Sequence, residues 1–250
     1  MRPIGRIFIT VALAALASCN ASGDQAGNGQ AQGGAAQSDA DKLRAMPAPD
    51  LLKLAFRTAF KADDNASLAV GDETFSFRPQ SLSWIGDRAV LISAGRGDDC
   101  HACAGTLAIH YLQPIDGGFT VAGAWPKATM GASFGAPPSW ALRTDIAANP
   151  VIQAEGGGTF QGYSCAVGQL VELTPNGPVT IADGLTLGYS NAGAAIDGTP
   201  VRAFQAKIVA GEKDQNFTLV YQGAERATVT YRHEGATYVR AAGSPDIPGC

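Results

Sequence analysis

The feature that most constrains the fold is a long series of short β-like runs, separated by turn sequences, that starts near residue 67. Turns such as Asp116-Gly117-Gly118 and Pro175-Asn176-Gly177 lie between the runs. Glycine and asparagine favour tight turns because they tolerate backbone conformations that other residues avoid. Helical periodicity nearly disappears after residue 62, which excludes a helical bundle. The series predicts a mainly β fold, either an antiparallel sandwich or a propeller-like assembly of β repeats.

One amphipathic helix precedes the β part. Apolar residues recur at helical spacing from Leu51 to Phe60, and Asp50 stands where an N-cap is expected. We predict a helix over residues 50–61 whose apolar stripe packs on a sheet. The predicted strands follow at 74–78, 81–85, 88–94, 105–113, 118–124, 128–133, 139–144, 150–155, 167–173, 178–182, 200–209, 216–222, 226–232 and 236–241.

The N-terminus carries an export pattern. Arg2 and Arg6 form a basic region, residues 7–16 are apolar, and Leu16-Ala17-Ser18-Cys19 closes the segment. An aliphatic residue, two small residues and a cysteine resemble the lipobox of bacterial lipoproteins. The resemblance covers residues 1–19 only. It implies cleavage before Cys19, a diacylglyceryl thioether on its sulfur and acylation of the new amino group.

This resemblance divides the chain into a lipoprotein signal peptide (1–18), a lipid-anchored linker (19–45) and one β-rich domain with a short N-terminal helix (46–250). The linker is predicted to be disordered because residues 20–45 contain no aromatic side chain and few large apolar ones. The implied location is the bacterial cell envelope, with the domain facing the periplasm. The implied partners are the membrane, through the lipid on Cys19, and another envelope protein or a small ligand.

Charge argues against nucleic acid as a partner. The whole chain carries a formal charge of −4, and removal of residues 1–18 takes away two arginines and no acidic residue, which leaves −6. Such a surface cannot neutralise a row of phosphates. No cofactor is predicted.

An internal similarity suggests where a binding site lies. Two stretches of the sequence follow the same succession, namely a strand-like run, a loop that ends at a cysteine and an alanine, another run and a glycine turn. The first stretch begins at residues 90–95, and its polar loop ends at Cys103-Ala104. The second begins at residue 151, and its loop ends at Cys165-Ala166. If the two units are related, loops 95–104 and 156–166 emerge at equivalent ends of neighbouring units. The candidate binding residues in these loops are Asp98, Asp99, His101, Gln161 and Tyr163.

The cysteines favour structural disulfides. Lipidation of Cys19 leaves four cysteines in an oxidising compartment. We predict the pairs Cys100–Cys103 and Cys165–Cys250. Two alternatives remain open for Cys100-His101-Ala102-Cys103, namely a metal site or redox exchange, although the usual second pair of zinc ligands is missing and the preceding acidic residues disfavour a thiolate.

A hydrolase using Ser164 and His233 is the alternative enzymatic interpretation. Gly162-Tyr163-Ser164-Cys165-Ala166 is faintly like a nucleophile elbow, and His233 follows it in the chain. The elbow needs a strand, a sharp turn and a helix, whereas this segment continues into a β pattern. We therefore assign no catalytic residue and expect a binding or assembly module rather than an enzyme. The strand residue His110 is expected to be half-buried and hydrogen-bonded.

Overall fold

The computed structural model describes residues 37–249 and shows two helices followed by thirteen antiparallel strands in this range. The helices are α1 (Asp39–Arg44) and α2 (Ala48–Phe60). The strands are β1 (Ala66–Val70), β2 (Glu73–Ile85), β3 (Arg88–Arg96), β4 (Thr106–Ile115), β5 (Gly118–Trp125), β6 (Ser139–Arg143), β7 (Val151–Phe160), β8 (Tyr163–Thr174), β9 (Gly177–Ser190), β10 (Ala203–Ala210), β11 (Asn216–Gly223), β12 (Thr228–Glu234) and β13 (Thr237–Arg240). No helix in residues 37–249 is long and apolar enough to cross a membrane.

Two sheets form a sandwich, which confirms the predicted mainly β, antiparallel fold. The first sheet has the order β1-β2-β3-β4-β5 and the second runs from β6 to β13, so within each sheet every strand pairs with its neighbours in sequence. Side chains from β3 and β4 meet side chains from β7 and β8 in a shared core, with Val90, Ile109 and Ile152 among its fully buried members. The sandwich alternative of the sequence prediction therefore describes this fold.

Strands β3 and β4 are buried on both faces, which explains their nearly continuous apolar sequence. Val90 and Ile92 point toward the second sheet, while Ala89 and Leu91 point toward α2. Full burial of a side chain of this size contributes about 1.5–3 kcal/mol. These two strands therefore form the centre of a three-layer arrangement of helix, sheet and sheet.

Helix α2 packs on the first sheet as predicted, but its boundaries differ. It spans Ala48–Phe60, and Pro47, rather than Asp50, occupies the N-cap position. Pro47 supplies no side-chain cap, but Pro49 lies in the first turn, where its fixed backbone angle suits a helix and the N–H that it lacks would have no helical partner. Asp50 instead lies in the first turn, where a carboxylate interacts favourably with the helix dipole.

The end of the predicted disordered linker is a helix. Residues 39–44 form α1, and Ala40 and Leu43 are buried, Leu43 within the core beneath α2. Ser38 caps this helix by accepting a hydrogen bond from the backbone N–H of Asp41 at 3.1 Å. The linker prediction was therefore wrong for residues 39–44, and residues 19–36 lie outside the described part.

The strand predictions need three corrections. The runs 74–78 and 81–85 are one strand, β2, with an irregularity between Pro79 and Ser81. Residues 128–133 form no regular strand, and Thr129 is instead tied to the start of β4 by a hydrogen bond from the N–H of Leu107 at 3.0 Å. Strand β1 was not predicted.

The second sheet curls around its own core, which includes Phe204, Phe217 and Tyr238. The hydroxyl of Tyr238 in β13 donates to the carbonyl of Ile146, between β6 and β7, at 2.9 Å. The hydroxyl of Tyr221 donates to the carbonyl of Thr186 at 3.0 Å. Both phenol hydroxyls form buried hydrogen bonds across the curled sheet, as buried tyrosine hydroxyls commonly do.

His110 lies in the core between α2 and the first sheet. It is buried, its ring lies 4.7 Å from that of Phe60, and its Nδ1 has no hydrogen-bond partner among the described residues. The expectation of a half-buried, hydrogen-bonded histidine was therefore wrong. Burial lowers the pKa of His110 to about 4, because the apolar surroundings disfavour the charged ring.

We expect the stability of the protein to fall between pH 6.5 and pH 4. The unfolded chain takes up a proton at His110 near pH 6.5, whereas the folded chain does so only near pH 4. Over this interval the unfolded state binds more protons, so the free energy of unfolding drops by as much as about 3 kcal/mol. In His110→Leu this part of the pH dependence disappears. Urea unfolding of both proteins at pH 7 and pH 4.5 tests this, and an unchanged pH dependence in the variant would refute it.

Candidate functional site

The Cys100–Cys103 pair forms a disulfide with an S–S distance of 2.02 Å, which confirms the predicted bridge. Both sulfurs are thus unavailable as thiolate ligands in this state. Cys165 is also disulfide-bonded, and its predicted partner Cys250 lies outside the described residues. No group of three or more His, Cys, Asp or Glu side chains within residues 37–249 is arranged to hold a metal ion.

The disulfide loop contacts the β7–β8 hairpin through His101. Nε2 of His101 lies 2.7 Å from the carbonyl oxygen of Thr159, so a ring N–H there donates a hydrogen bond to the hairpin. The ring also lies between two aromatic rings, with centroid distances of 5.1 Å to Phe134 and 4.8 Å to Phe160. The two segments that the sequence placed in one site are therefore in contact, although 156–166 forms a hairpin and not a long loop.

The two units of the proposed repeat agree only in the order of their strands. Strands β3, β4 and β5 form an antiparallel meander in the first sheet, and β7, β8 and β9 form one in the second. Residues 97–105 connect β3 to β4, whereas only residues 161 and 162 connect β7 to β8. Cys165 accordingly lies inside β8 and not at the end of a loop.

A third segment, residues 126–138, joins the disulfide loop to the hairpin. The N–H of Gly97 donates to the carbonyl of Gly135 at 2.9 Å, and the N–H of Ser133 donates to the carbonyl of Gly157 at 2.8 Å. Packing is close enough that a Cβ built on Gly156 would lie 2.1 Å from the carbonyl oxygen of Gly131. We call this contact of three backbones the glycine junction; its members are Gly97, Gly105, Gly131, Gly135, Gly156, Gly157 and Gly158.

A cavity of about 560 Å³ lies beside the glycine junction. Every second residue of β8 from Tyr163 to Gln169 lines it, and the next members of this alternation, Val171 and Leu173, belong to the core between the sheets. The cavity therefore lies in line with the core between the two sheets, along a part of β8 that the first sheet no longer covers. Its volume is within the usual range for a small-molecule site.

The cavity is mainly apolar and its surroundings expose large apolar side chains. Met130, Phe160 and Tyr163 line it and are 59%, 46% and 44% exposed. Among its described lining residues, only Asp183 carries a charge, and that carboxylate accepts a hydrogen bond from the N–H of Gly184 at 2.8 Å. Clustered exposed apolar side chains are typical of an interaction site.

The predicted binding residues lie at unequal distances from this cavity. Tyr163 lines it, and His101 ties the disulfide loop to the hairpin beside it. Gln161 is exposed in the β7–β8 turn with a φ of 51°. Asp98 and Asp99 are exposed in the disulfide loop, where Asp99 lies 3.8 Å from Arg96, and neither lines the cavity.

Ser164 and His233 occupy different strands and have different partners. The hydroxyl of Ser164 lies 2.7 Å from that of Thr159, across the hairpin. The Nδ1 of His233 is 3.0 Å from the carbonyl oxygen of Asp214, and its ring stacks on Tyr238 at 4.8 Å. No hydrogen bond joins the two side chains in the described structure. Ser164 also lies within β8, so the strand–turn–helix of a nucleophile elbow is absent at this point.

A second, wider depression of about 830 Å³ lies on the outer face of the second sheet. Polar side chains such as Glu155, Gln205 and Lys207 line it. Water solvates such a surface well, so it offers a small ligand less gain from burial than the apolar cavity does. The apolar cavity is therefore the stronger candidate site.

Comparisons with protein-family models, curated proteins and solved structures found no match to this chain.

Proposed function

We propose that this protein is a lipid-anchored binding module of the bacterial cell envelope that takes a small, mainly apolar molecule into the cavity beside the glycine junction. The cavity itself carries the proposal. It is apolar, open to solvent at an aromatic rim, and walled by rigid elements, namely β8, the disulfide loop and the packed 126–138 segment. Such sites bind by removing apolar ligand surface from water, at about 25 cal/mol per Å² buried.

The proposed anchor rests on the export pattern that ends at Cys19. A lipid there would keep the domain at the membrane surface and facing the periplasm. Several acyl chains hold a protein firmly, because each buried methylene group contributes about 0.8 kcal/mol. An envelope location would give the cavity access to apolar molecules that enter or leave the membrane.

Filling the cavity should weaken binding. Val167 lines the cavity wall on β8, so Val167→Trp would place an indole ring in the space that a ligand needs. We expect affinity for the neutral fluorophore N-phenyl-1-naphthylamine to fall roughly tenfold or more, which corresponds to about 1.4 kcal/mol. Fluorescence titration measures this in the chain from residue 19 onward with Cys19→Ser as background, so that neither the apolar export segment nor a lipid competes for the probe.

Val121→Trp is the matched control. Val121 is 41% exposed on β5 and does not line the cavity, so the same substitution there should leave the affinity unchanged. Circular dichroism establishes that both variants are folded. Absence of binding by the background protein, or equal binding by Val167→Trp, would contradict the proposed function.

A further inference from the structure

One polar group in the cavity wall has no partner. Gln169 lies on β8 and lines the cavity, and its side-chain carbonyl oxygen Oε1 is buried without a hydrogen bond from any described residue. A buried acceptor left unpaired destabilises a fold, because it has given up its hydrogen bonds to water. A hydrogen-bond donor that arrived with a ligand would remove this cost.

Three other side chains in the described structure have a buried, unpartnered polar atom, and their setting is different. They are Ser93, His110 and Tyr111, and none of them lines the cavity. His110 and Tyr111 sit among packed apolar residues of the two faces of β4. Of these four groups, Gln169 alone lines the apolar cavity, and Tyr111 borders a smaller and more polar depression of about 280 Å³.

Charge around the cavity restricts the ligand further. The described lining residues include no lysine, arginine or histidine, and Asp183 is the only charged one. An anion would leave its hydration shell without gaining a cationic partner, which is costly in apolar surroundings. The cavity therefore disfavours carboxylates, sulfonates and phosphates.

We infer that the cavity selects a compact, mainly apolar, uncharged molecule that carries one hydroxyl or N–H group, and that Oε1 of Gln169 accepts the hydrogen bond from that group. This inference rests on the proposed function, since it names the ligand class of the same cavity. The apolar body of the ligand contacts Val167 and the exposed rings at the rim. The donor group points along β8 toward Gln169, where the inter-sheet core begins.

Three probes of one ring system test the inference, namely 2-naphthol, 2-methoxynaphthalene and 2-naphthoate. The first donates a hydrogen bond, the second only accepts one, and the third is an anion. We expect 2-naphthol to bind roughly fivefold to tenfold more tightly than 2-methoxynaphthalene, the ratio typical of one neutral hydrogen bond, and 2-naphthoate to bind most weakly. Titrations use the same background protein as above, the chain from residue 19 onward with Cys19→Ser.

Gln169→Met then tests whether Oε1 of Gln169 is the hydrogen-bond acceptor. Methionine keeps the length of the side chain and lacks the amide, so the preference for 2-naphthol should vanish while 2-methoxynaphthalene binds as before. Gln80→Met is the matched control, because Gln80 is exposed on β2 and does not line the cavity. It should keep the full preference.

The outcomes separate this inference from the proposed function. Equal affinities for 2-naphthol and 2-methoxynaphthalene in the background protein overturn the role of Gln169. They do so even where weaker binding by Val167→Trp shows that the probes bind in the cavity. A preference for 2-methoxynaphthalene would mean that the cavity gains nothing from the hydroxyl donor, and tightest binding of 2-naphthoate would mean that an anion is preferred; either overturns the inference. Failure of every probe, including N-phenyl-1-naphthylamine, overturns the inference together with the proposed function.

Discussion

Gly156→Ala is expected to lower the free energy of unfolding by about 3 kcal/mol, the upper part of the usual range for overpacking. The added Cβ would lie 2.1 Å from the carbonyl oxygen of Gly131 and 2.6 Å from its carbonyl carbon. Both atoms belong to the backbone, so no side-chain rotation can relieve the overlap. Because folded domains are stable by only about 5–15 kcal/mol, such a loss is a large part of the whole. Urea unfolding at pH 7 measures it.

Gly118→Ala is the control for this substitution. A Cβ on Gly118 meets no atom within 4 Å, so its stability should stay within roughly 1 kcal/mol of the parent protein. Gly156 and Gly131 both line the cavity, and Gly156→Ala should therefore also weaken N-phenyl-1-naphthylamine binding. A Gly156→Ala protein as stable as Gly118→Ala would show that the 126–138 segment moves away freely and that the glycine junction is not rigid.

Cys19→Ser is expected to abolish lipid addition when the chain is expressed in bacteria. A serine hydroxyl cannot form the thioether that the lipobox resemblance implies, so the protein would lose its acyl chains. Because the same motif directs the implied cleavage before Cys19, the variant would also keep the apolar residues 7–16, so the decisive readout is lipid mass and not membrane association. Intact-mass measurement checks the result, with the added lipid mass expected in the parent chain only.

Ser18→Ala is the matched control for the anchor. It keeps an aliphatic residue, two small residues and the cysteine in order, so lipidation and membrane association should persist. A parent chain without added lipid mass would overturn the proposed anchor. So would a Cys19→Ser chain that carries the same added lipid mass. Neither result would bear on the cavity proposal, which rests on lining residues between Ala102 and Gly249.

Much of the fold could be predicted because local patterns determine it. Alternation of apolar and polar residues with turn sequences between them marks most of the strands, and the stripe from Leu51 to Phe60 marks α2. The linker boundary was wrong because the composition of residues 20–45 hides one short helix. Leu43 gives that helix its stability by burial against the core, which is a long-range effect.

The site was predicted only in part for a similar reason. The cysteines drew attention to the disulfide loop and the hairpin, and His101 does join them. Residues 126–138 were missed because nothing in Ala128 to Ser133 shows that its glycine meets another backbone. Gln169 was missed because it looks like the polar member of an alternating strand; its burial depends on where the opposite sheet ends. The density of glycines in three separate segments was the one usable signal.

The sequential order of the strands has a consequence for how the chain acquires its structure. Within each sheet every strand after the first pairs with the one before it, so a chain that emerges from a channel N-terminus first can close each hairpin as soon as its second strand appears. Short-range pairing of this kind costs little loop entropy and favours rapid folding. The tie between Tyr238 and Ile146 spans 92 residues, so the curl of the second sheet closes only after the whole domain has emerged.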